Sequence, residues 1–266
     1  MKDRIGRNID YLRISVTDRC NYRCFYCLPP EGVELKRHED ILSLEEIYEI
    51  AKYGASQGIT KVKITGGEPM LRRNITHLIQ LIASIPDIHD LGMTTNATML
   101  DRYAVELKEA GLHRVNVSLD TLIPERFDKI TRGGDIEDVL RGIDAALNAG
   151  LTPVKLNSVI IPGINDDEKE SLTSFAREKG LGIRFIPMMD LASGHRTIVE
   201  GGTGGKCEIC NRLRLSADGK LRPCLFSDLE FDIRGLGIEE AFRRALDEKP
   251  DEGSYSNNRP MIQIGG

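Results

Sequence analysis

Six short apolar and β-branched runs recur between residues 11 and 187, spaced by segments of helical pattern. This rhythm limits the fold more than any other feature of the chain. The runs cover 11–16, 61–65, 90–94, 115–120, 153–160 and 183–187, and they read as strands. Helical periodicity fills 44–57, 71–84, 99–110, 137–148 and 167–179. Gly58, Gly111, Gly150 and Gly180 stand where four of those helices must stop. Ser43 and Glu46 make a capping-box pair at the start of the first. Strands alternating with helices are parallel and joined by right-handed crossovers. Six units fall short of a closed eight-stranded barrel, so the expected fold is α/β, a partial (βα)6 TIM-like barrel. A doubly wound sheet is the alternative. In both, ligands collect at the carboxyl ends of the strands.

After Pro187 the rhythm breaks. The expected division is a barrel over 1–189 and a small C-terminal extension over 190–266. Residues 200–206 are glycine-rich and expected to be flexible, and one amphipathic helix is expected near 237–248. The net charge of −5 gives no general attraction for nucleic acid or anionic lipid, so neither is an expected partner. Any anionic ligand must then be met by local basic residues. No apolar run approaches the ~20 residues that span a bilayer. The N-terminus is polar rather than signal-like, and the expected location is the cytoplasm.

The six cysteines fall into two triplets. Cys20, Cys24 and Cys27 form a C-x3-C-x2-C loop just past the first strand. Disulfides would be distributed along the chain, whereas clustered triplets point to metal. Such a loop can wrap three thiolates around a cubic iron–sulfur cluster, leaving one iron open to a ligand that is not protein. Zinc with a distant fourth ligand, and unliganded thiols, are the competing readings. Cys207, Cys210 and Cys224 again offer three ligands, with Asn211 or a substrate atom to complete the set. Zinc stays open here too, because C-x2-C pairs commonly bind it.

Gly66-Gly67-Glu68-Pro69 ends the second strand with two residues that lack a Cβ, so backbone can approach a ligand closely. Opposite an open iron, a backbone edge and a carboxylate suit the ammonium of an amino-acid-like ligand. An ordinary strand-to-helix turn is the bland account. Residues 211–220 read as a hairpin with Asp218-Gly219 at its turn. Arg212 and Arg214 share one strand face, as do Lys61 and Lys63. Arg13, Lys155 and Arg184 also fall on strands. Several cations directed at one barrel mouth would hold a polyanionic small molecule, the alternative being a solvated strand face. His38, His77, His89, His113 and His195 show no metal-ligand or nucleophile spacing. No Gly-x-Ser-x-Gly, P-loop or Rossmann fingerprint is present.

At the cysteine loop the sequence resembles the radical S-adenosylmethionine (SAM) superfamily. Gly66-Gly67-Glu68-Pro69 matches its methionine-binding motif, and Tyr26 the aromatic residue beside the last cysteine. The resemblance is closer still to the GTP 3′,8-cyclases that begin molybdenum cofactor biosynthesis. Stretches 15–21, 64–69, 94–96, 116–120 and 210–215 all look like that family, as does the Gly265-Gly266 terminus. The resemblance implies two [4Fe–4S] clusters, one on Cys20, Cys24 and Cys27 and one on Cys207, Cys210 and Cys224. It implies SAM at the first, lined by Tyr26, Gly66, Gly67, Glu68, Thr94, Asn96, Ser118 and Arg184. GTP would lie at the second, surrounded by Arg13, Lys61, Lys63, Lys155, Arg212 and Arg214. A 5′-deoxyadenosyl radical would take the ribose C3′ hydrogen, and C3′ would then bond to C8 of guanine. A low-potential electron donor, a downstream enzyme of the same pathway and a homodimer are implied as partners. The two clusters would face each other across the barrel mouth. The family has several tens more residues between the sixth strand and the second triplet, where this chain has only 190–206. Part of the substrate wall would then be missing. A related radical SAM enzyme acting on a peptide or another small molecule is therefore the rival expectation.

Overall fold

Strand β1 (Tyr11–Ser15) buries Leu12 and Ile14 completely. Helix α1 (Leu44–Ser56) begins at the expected capping box. Ser43 Oγ accepts from Glu46 N, and Glu46 Oε2 accepts from Ser43 N. A cap of this kind contributes about 1 kcal/mol. On α1, Ile47, Ile50, Ala51, Gly54 and Ala55 recur at i, i+3, i+4 spacing and are all buried. The chain continues through β2 (Lys61–Thr65), α2 (Ile75–Ala83), β3 (Asp90–Thr95), α3 (Leu100–Glu109) and β4 (Arg114–Ser118). Then come α4 (Pro124–Thr131), α5 (Ile136–Asn148), β5 (Lys155–Ile160), α6 (Lys169–Glu178) and β6 (Gly182–Pro187). Gly58, Gly111, Gly150 and Gly180 take the positive φ that ends α1, α3, α5 and α6. The computed structural model describes residues 1–29, 31–194, 197–257 and 259–264, so His195 and the Gly265-Gly266 terminus lie outside the described residues.

The six strands lie side by side in chain order, and every pair is parallel. A doubly wound sheet reverses its order part-way. This one does not, which is the partial-barrel arrangement. Strand β7 (Arg212–Leu215) then pairs parallel to β1, with Arg212 opposite Tyr11 and Leu215 opposite Ile14. β8 (Lys220–Arg222) and β9 (Phe231–Asp232) follow antiparallel. The expected hairpin is present, with Gly219 at φ +80° in its turn. It extends the barrel sheet beyond β1 into nine strands. Short α7 (Ile233–Leu236) leads into α8 (Ile238–Asp247). Phe242 of α8 meets Tyr53 of α1 edge-on, with ring centroids 5.3 Å apart. Among the described residues, no helix is long and apolar enough to cross a membrane.

The structure departs from expectation in three places. Helix α4 was unforeseen because it is mostly polar, with only Phe127, Ile130 and Thr131 buried, too few to display a period. Pro124 in its first turn was the available signal. Helix α2 starts at Ile75 rather than near 71, because Pro69–Leu71 forms a 3-10 turn and Asn74 sits at φ 60°. Residues 200–206 are not a free linker. Phe185 and Glu200 exchange both backbone hydrogen bonds at 3.1 Å, and Val199 N donates to Gly204 O at 3.0 Å. At Gly201 and Gly205 a Cβ would lie 2.7 Å from Ile183 O and 2.3 Å from Thr197 O. Glycine here permits close packing at positive φ rather than looseness.

Candidate active site

The first cysteine loop leaves the carboxyl end of β1 and rests on the carboxyl end of α4. Arg23 N donates to Thr131 O at 3.0 Å and Phe25 N to Ile130 O at 3.2 Å, which satisfies two carbonyls that the helix end leaves open. Tyr22 meets Phe127 edge-on at 5.8 Å. Cys27 N and Leu28 N both donate to Cys24 O, curling the loop into a turn that gathers its thiols. Burial pushes all three thiols up, Cys27 to about 12. For Cys24 the nearby Asp120 and Cys27 add to that effect, and for Cys27 Cys20 and Asp120 do. Crowded thiols that disfavour one another's ionisation are a donor set that calls for a cationic partner, since a metal deprotonates its thiol ligands.

The glycine turn packs directly on this loop. A Cβ on Gly66 would lie 2.8 Å from Thr17 O, and one on Gly67 2.2 Å from Arg19 O. Glu68 is 1% exposed. Its Oε1 accepts from Met70 N and Thr95 Oγ1, and its Oε2 from Asn96 N at 2.8 Å. Burial raises this carboxyl to about 7 despite those donors. The carboxylate lines the cavity and in addition braces its wall. Glu68 holds Thr95 and Asn96, and the Asn96 amide reaches Asn21 Oδ1 at 2.8 Å and Cys20 Sγ at 4.0 Å. Tyr26 donates its hydroxyl to Asp120 Oδ2 at 2.6 Å. Asp120 is buried and burial raises it to about 6.

The second triplet lies at the opposite end of the strands, not across the same mouth. Cys207 and Cys210 precede β7, and β7 runs parallel to β1, so Cys210 lies beside the start of β1 while Cys20 follows its end. Five strand residues separate the two levels, about 16 Å. Cys224 reaches the same lower level because β8 runs antiparallel to β7. Asn211 spends its amide on Asp10 Oδ1 at 2.6 Å. A Cβ on Gly253 would lie 2.9 Å from Cys224 Sγ, so only glycine lets the backbone pack this close to the sulfur.

One cavity of about 590 Å³ joins the two levels and touches all six cysteines. Tyr26, Gly66, Gly67, Glu68, Thr94, Asn96, Ser118 and Arg184 line it, as do Arg13, Lys61, Lys63, Arg212 and Arg214. Lys155 does not; it opens β5 at the lower level. The register arranges the cations in rows: Lys63, Arg13 and Arg214 across β2, β1 and β7, with Lys61, Tyr11 and Arg212 beneath them. Lys63 is 2% exposed, and its ammonium is held well below its ordinary range by burial, then by Arg114 and Arg13. Arg214 is brought down to about 9 by burial, then by Arg13 and Arg212. Thr94 Oγ1, Asn157 Oδ1 and Arg184 Nε are buried along this cavity with no hydrogen-bond partner among the described residues. Buried polar atoms are nearly always paired, so these three point to a bound polar molecule.

The profile of the radical SAM superfamily matches residues 14–176. The chain is 41% identical to the GTP 3′,8-cyclase of Petrotoga mobilis and 45% identical to that of Moorella thermoacetica, in alignments spanning 100% of both partners. The chain belongs to the GTP 3′,8-cyclase family of the radical SAM superfamily. It is thus a radical SAM enzyme, of a superfamily that uses a [4Fe–4S] cluster and SAM. Both alignments run over 323 positions against the 266 residues here, so at least 57 positions face a gap in this chain. The solved structure of anSMEcpe with bound AdoMet shares the fold alone, at TM-score 0.63 and 14% identity, over 87% of this chain and 77% of that one.

Several family-site neighbours escaped the sequence reading. Arg114 lines the cavity and chelates Asp90 through Nε at 2.8 Å and Nη2 at 2.6 Å. Its signal was a strand boundary placed one residue late, since Arg114 opens β4 as Lys61 opens β2. Asn116, which accepts from Lys63 Nζ at 3.4 Å, Asn157 and Asp120 fall in stretches that the sequence does point to, 116–120 and the fifth strand, but without an individual role.

Proposed function

We propose that the chain converts GTP to 3′,8-cyclo-GTP, with SAM bound at the upper level of the cavity and GTP at the lower. The observation that carries this reading is the single cavity with a cysteine triplet at each level and stacked rows of cations beside the second. The donor sets fit clusters. Each level brings three cysteines to the cavity wall, a donor set that suits an iron–sulfur cluster. Cys20, Cys24 and Cys27 would hold a cluster that, when bound, would supply the electron for reductive cleavage of the SAM sulfonium; the change proposed for GTP is loss of the C3′ hydrogen and closure of C3′ onto C8.

The protein's part is positioning and insulation. The Gly66-Gly67 backbone presses against the cysteine loop and offers an edge to the methionyl end of SAM. Thr94, Ser118, Asn157 and Arg184 bring polar groups to the space between the levels. Arg13, Lys61, Lys63, Arg212 and Arg214 meet the triphosphate, with Lys155 behind them. A second [4Fe–4S] cluster on Cys207, Cys210 and Cys224 would hold guanine at its open iron. The gapped positions fit the short 190–206 connection, yet this connection does wall the cavity through Val199, Gly202, Thr203, Gly204 and Gly205. A low-potential electron donor, a downstream enzyme that takes the product, a homodimer and a cytoplasmic setting complete the reading.

The test is one anaerobic incubation of reconstituted protein with GTP, SAM and dithionite, followed by mass spectrometry. 5′-Deoxyadenosine together with 3′,8-cyclo-GTP is expected. 5′-Deoxyadenosine with no GTP-derived product would defeat the assignment of substrate.

A further inference from the structure

Among the described residues, Arg7, Arg222 and Lys249 are buried cations outside the cavity, and Arg7 and Lys249 reach the lower cysteine segments. Lys249 follows α8 and is 2% exposed. Its ammonium donates to Arg212 O at 2.9 Å and to Pro223 O. Pro223 adjoins Cys224, and Arg212 lies two residues past Cys210. Arg7, 8% exposed, donates to Cys207 O at 2.9 Å, Asp251 O at 3.0 Å and Pro250 O at 2.8 Å. Its Nε is held by Asp3 Oδ2 at 2.5 Å. Residues 3–7, 207–224 and 249–251, remote in sequence, are thus tied around one triplet by cation-to-carbonyl bonds.

The two triplets have opposite surroundings. The upper loop carries Tyr26, whose hydroxyl is bonded to the Asp120 carboxyl, whereas the lower segments hold the Lys249 ammonium through the carbonyls of Arg212 and Pro223, the latter next to Cys224. A [4Fe–4S] core on three thiolates is already anionic in its oxidised state and gains a further negative charge on reduction. Hydrogen bonds to its sulfurs and nearby charge therefore set its potential. A buried ammonium fixed between two ligand-bearing segments favours the reduced form. An unpaired buried ammonium would be costly, which the two carbonyls offset.

We infer that Lys249 is a positioning residue of the lower site: it clamps the Cys210 and Cys224 segments together and raises the reduction potential of the cluster they hold. This rests on the two-cluster reading above. It goes beyond that reading by assigning a residue, and a direction of tuning, to one cluster.

The experiment compares reconstituted wild type with Lys249→Gln, Lys249→Met and Lys249→Arg by iron content, chelator challenge and EPR-monitored redox titration. Added SAM marks the upper cluster's signal. Wild type should hold about eight irons. Gln and Met should lower the lower cluster's midpoint and weaken its retention about 10–100-fold, as loss of a ligand-orienting group does. The upper cluster's SAM response should stay unchanged, and Arg should bring the midpoint back toward wild type. A wild-type midpoint and retention in Lys249→Gln, with about eight irons present, overturns the inference. About four irons in wild type overturns the two-cluster reading itself, and the inference with it. Should Lys249→Met fail to fold, Lys249→Gln decides, because its amide keeps a donor for the two carbonyls.

Discussion

Replacing Gly67 by alanine tests whether the glycine turn and the cysteine loop act as one part. The new Cβ would lie 2.2 Å from Arg19 O, 2.6 Å from Arg19 C and 3.1 Å from Cys20 Cβ. Carbon–oxygen contacts sit near ~3.3 Å or beyond, so the two segments must part by about 1 Å. That movement stretches Gly67 N to Thr17 O, now 2.8 Å, and Glu68 N to Arg19 O, now 2.7 Å. Losing both bonds costs about 1–3 kcal/mol, and overpacking adds about 1–3 kcal/mol. The sum, about 2–6 kcal/mol, falls within the ~5–15 kcal/mol by which proteins are stable, so much of the population should stay folded. What changes is the seat of Cys20. A misplacement of about 1 Å costs on the order of 100-fold in rate. The expected result is a folded Gly67→Ala protein, lower in Tm, that forms 5′-deoxyadenosine about 100-fold more slowly, with the lower triplet's iron retained. Gly163→Ala is the control, since nothing lies within 4 Å of its Cβ position, though its φ of +74° also strains alanine. Folded Gly67→Ala that cleaves SAM at the wild-type rate would refute the reasoning.

Cys210→Ser should lower iron from about eight to about four per chain, keep 5′-deoxyadenosine formation and abolish the cyclised nucleotide; iron analysis and mass spectrometry check it. Lys63→Met should weaken GTP binding measured by calorimetry, yet stabilise the ligand-free chain by about 1 kcal/mol or more, because a buried charge without a counter-charge is removed. The same variant isolates a pH effect. Burial, with Arg114 and Arg13, holds the folded-state Lys63 below its ordinary 10.5, so between that lowered value and 10.5 the unfolded chain binds more protons. Wild-type stability therefore gains with rising pH across that window, and the wild-type-minus-variant Tm difference at pH 10 should be less unfavourable than at pH 7. An unchanged difference would remove Lys63 as its source.

Much of the barrel was legible because its signals are local. Glycine stops, a capping box and strand periodicity each act within a few residues, and the parallel order follows from the crossovers. The hairpin over 211–220 was equally local. Its parallel pairing with β1 was not, because it joins residues some 200 apart in sequence. That one pairing decides where Cys207, Cys210 and Cys224 lie, so the sequence reading set both triplets at one mouth. Glu68 shows the same limit for a side chain. Its type and place in the turn suit a ligand contact, and its second task, bracing Met70, Thr95 and Asn96, appears only once β3 is beside β2. Lys249 and Arg7 were invisible for another reason: lysine and arginine near an element's end are usually solvated, and only packing reveals these two as buried.

The two levels of the cavity also sort their ligands by charge. The upper level gathers Glu68 and Asp120, carboxyls that burial holds at about 7 and about 6. A cation placed beside them would favour the ionised form of both. The lower level gathers Arg13, Lys63, Arg212 and Arg214, where burial and mutual repulsion pull the groups that shift downward. At an effective dielectric of ~20, unit charges about 6 Å apart interact by roughly 3 kcal/mol, so a triphosphate entering this group removes a repulsion as well as adding an attraction. The net charge of −5 conceals this, because the rows lie inside the barrel and the acidic excess lies elsewhere. A SAM molecule placed at the lower level, or a triphosphate at the upper, would meet its own sign. The polarity of the barrel thus agrees with the proposed placement of SAM at the upper level and of the triphosphate at the lower, before any cluster is considered.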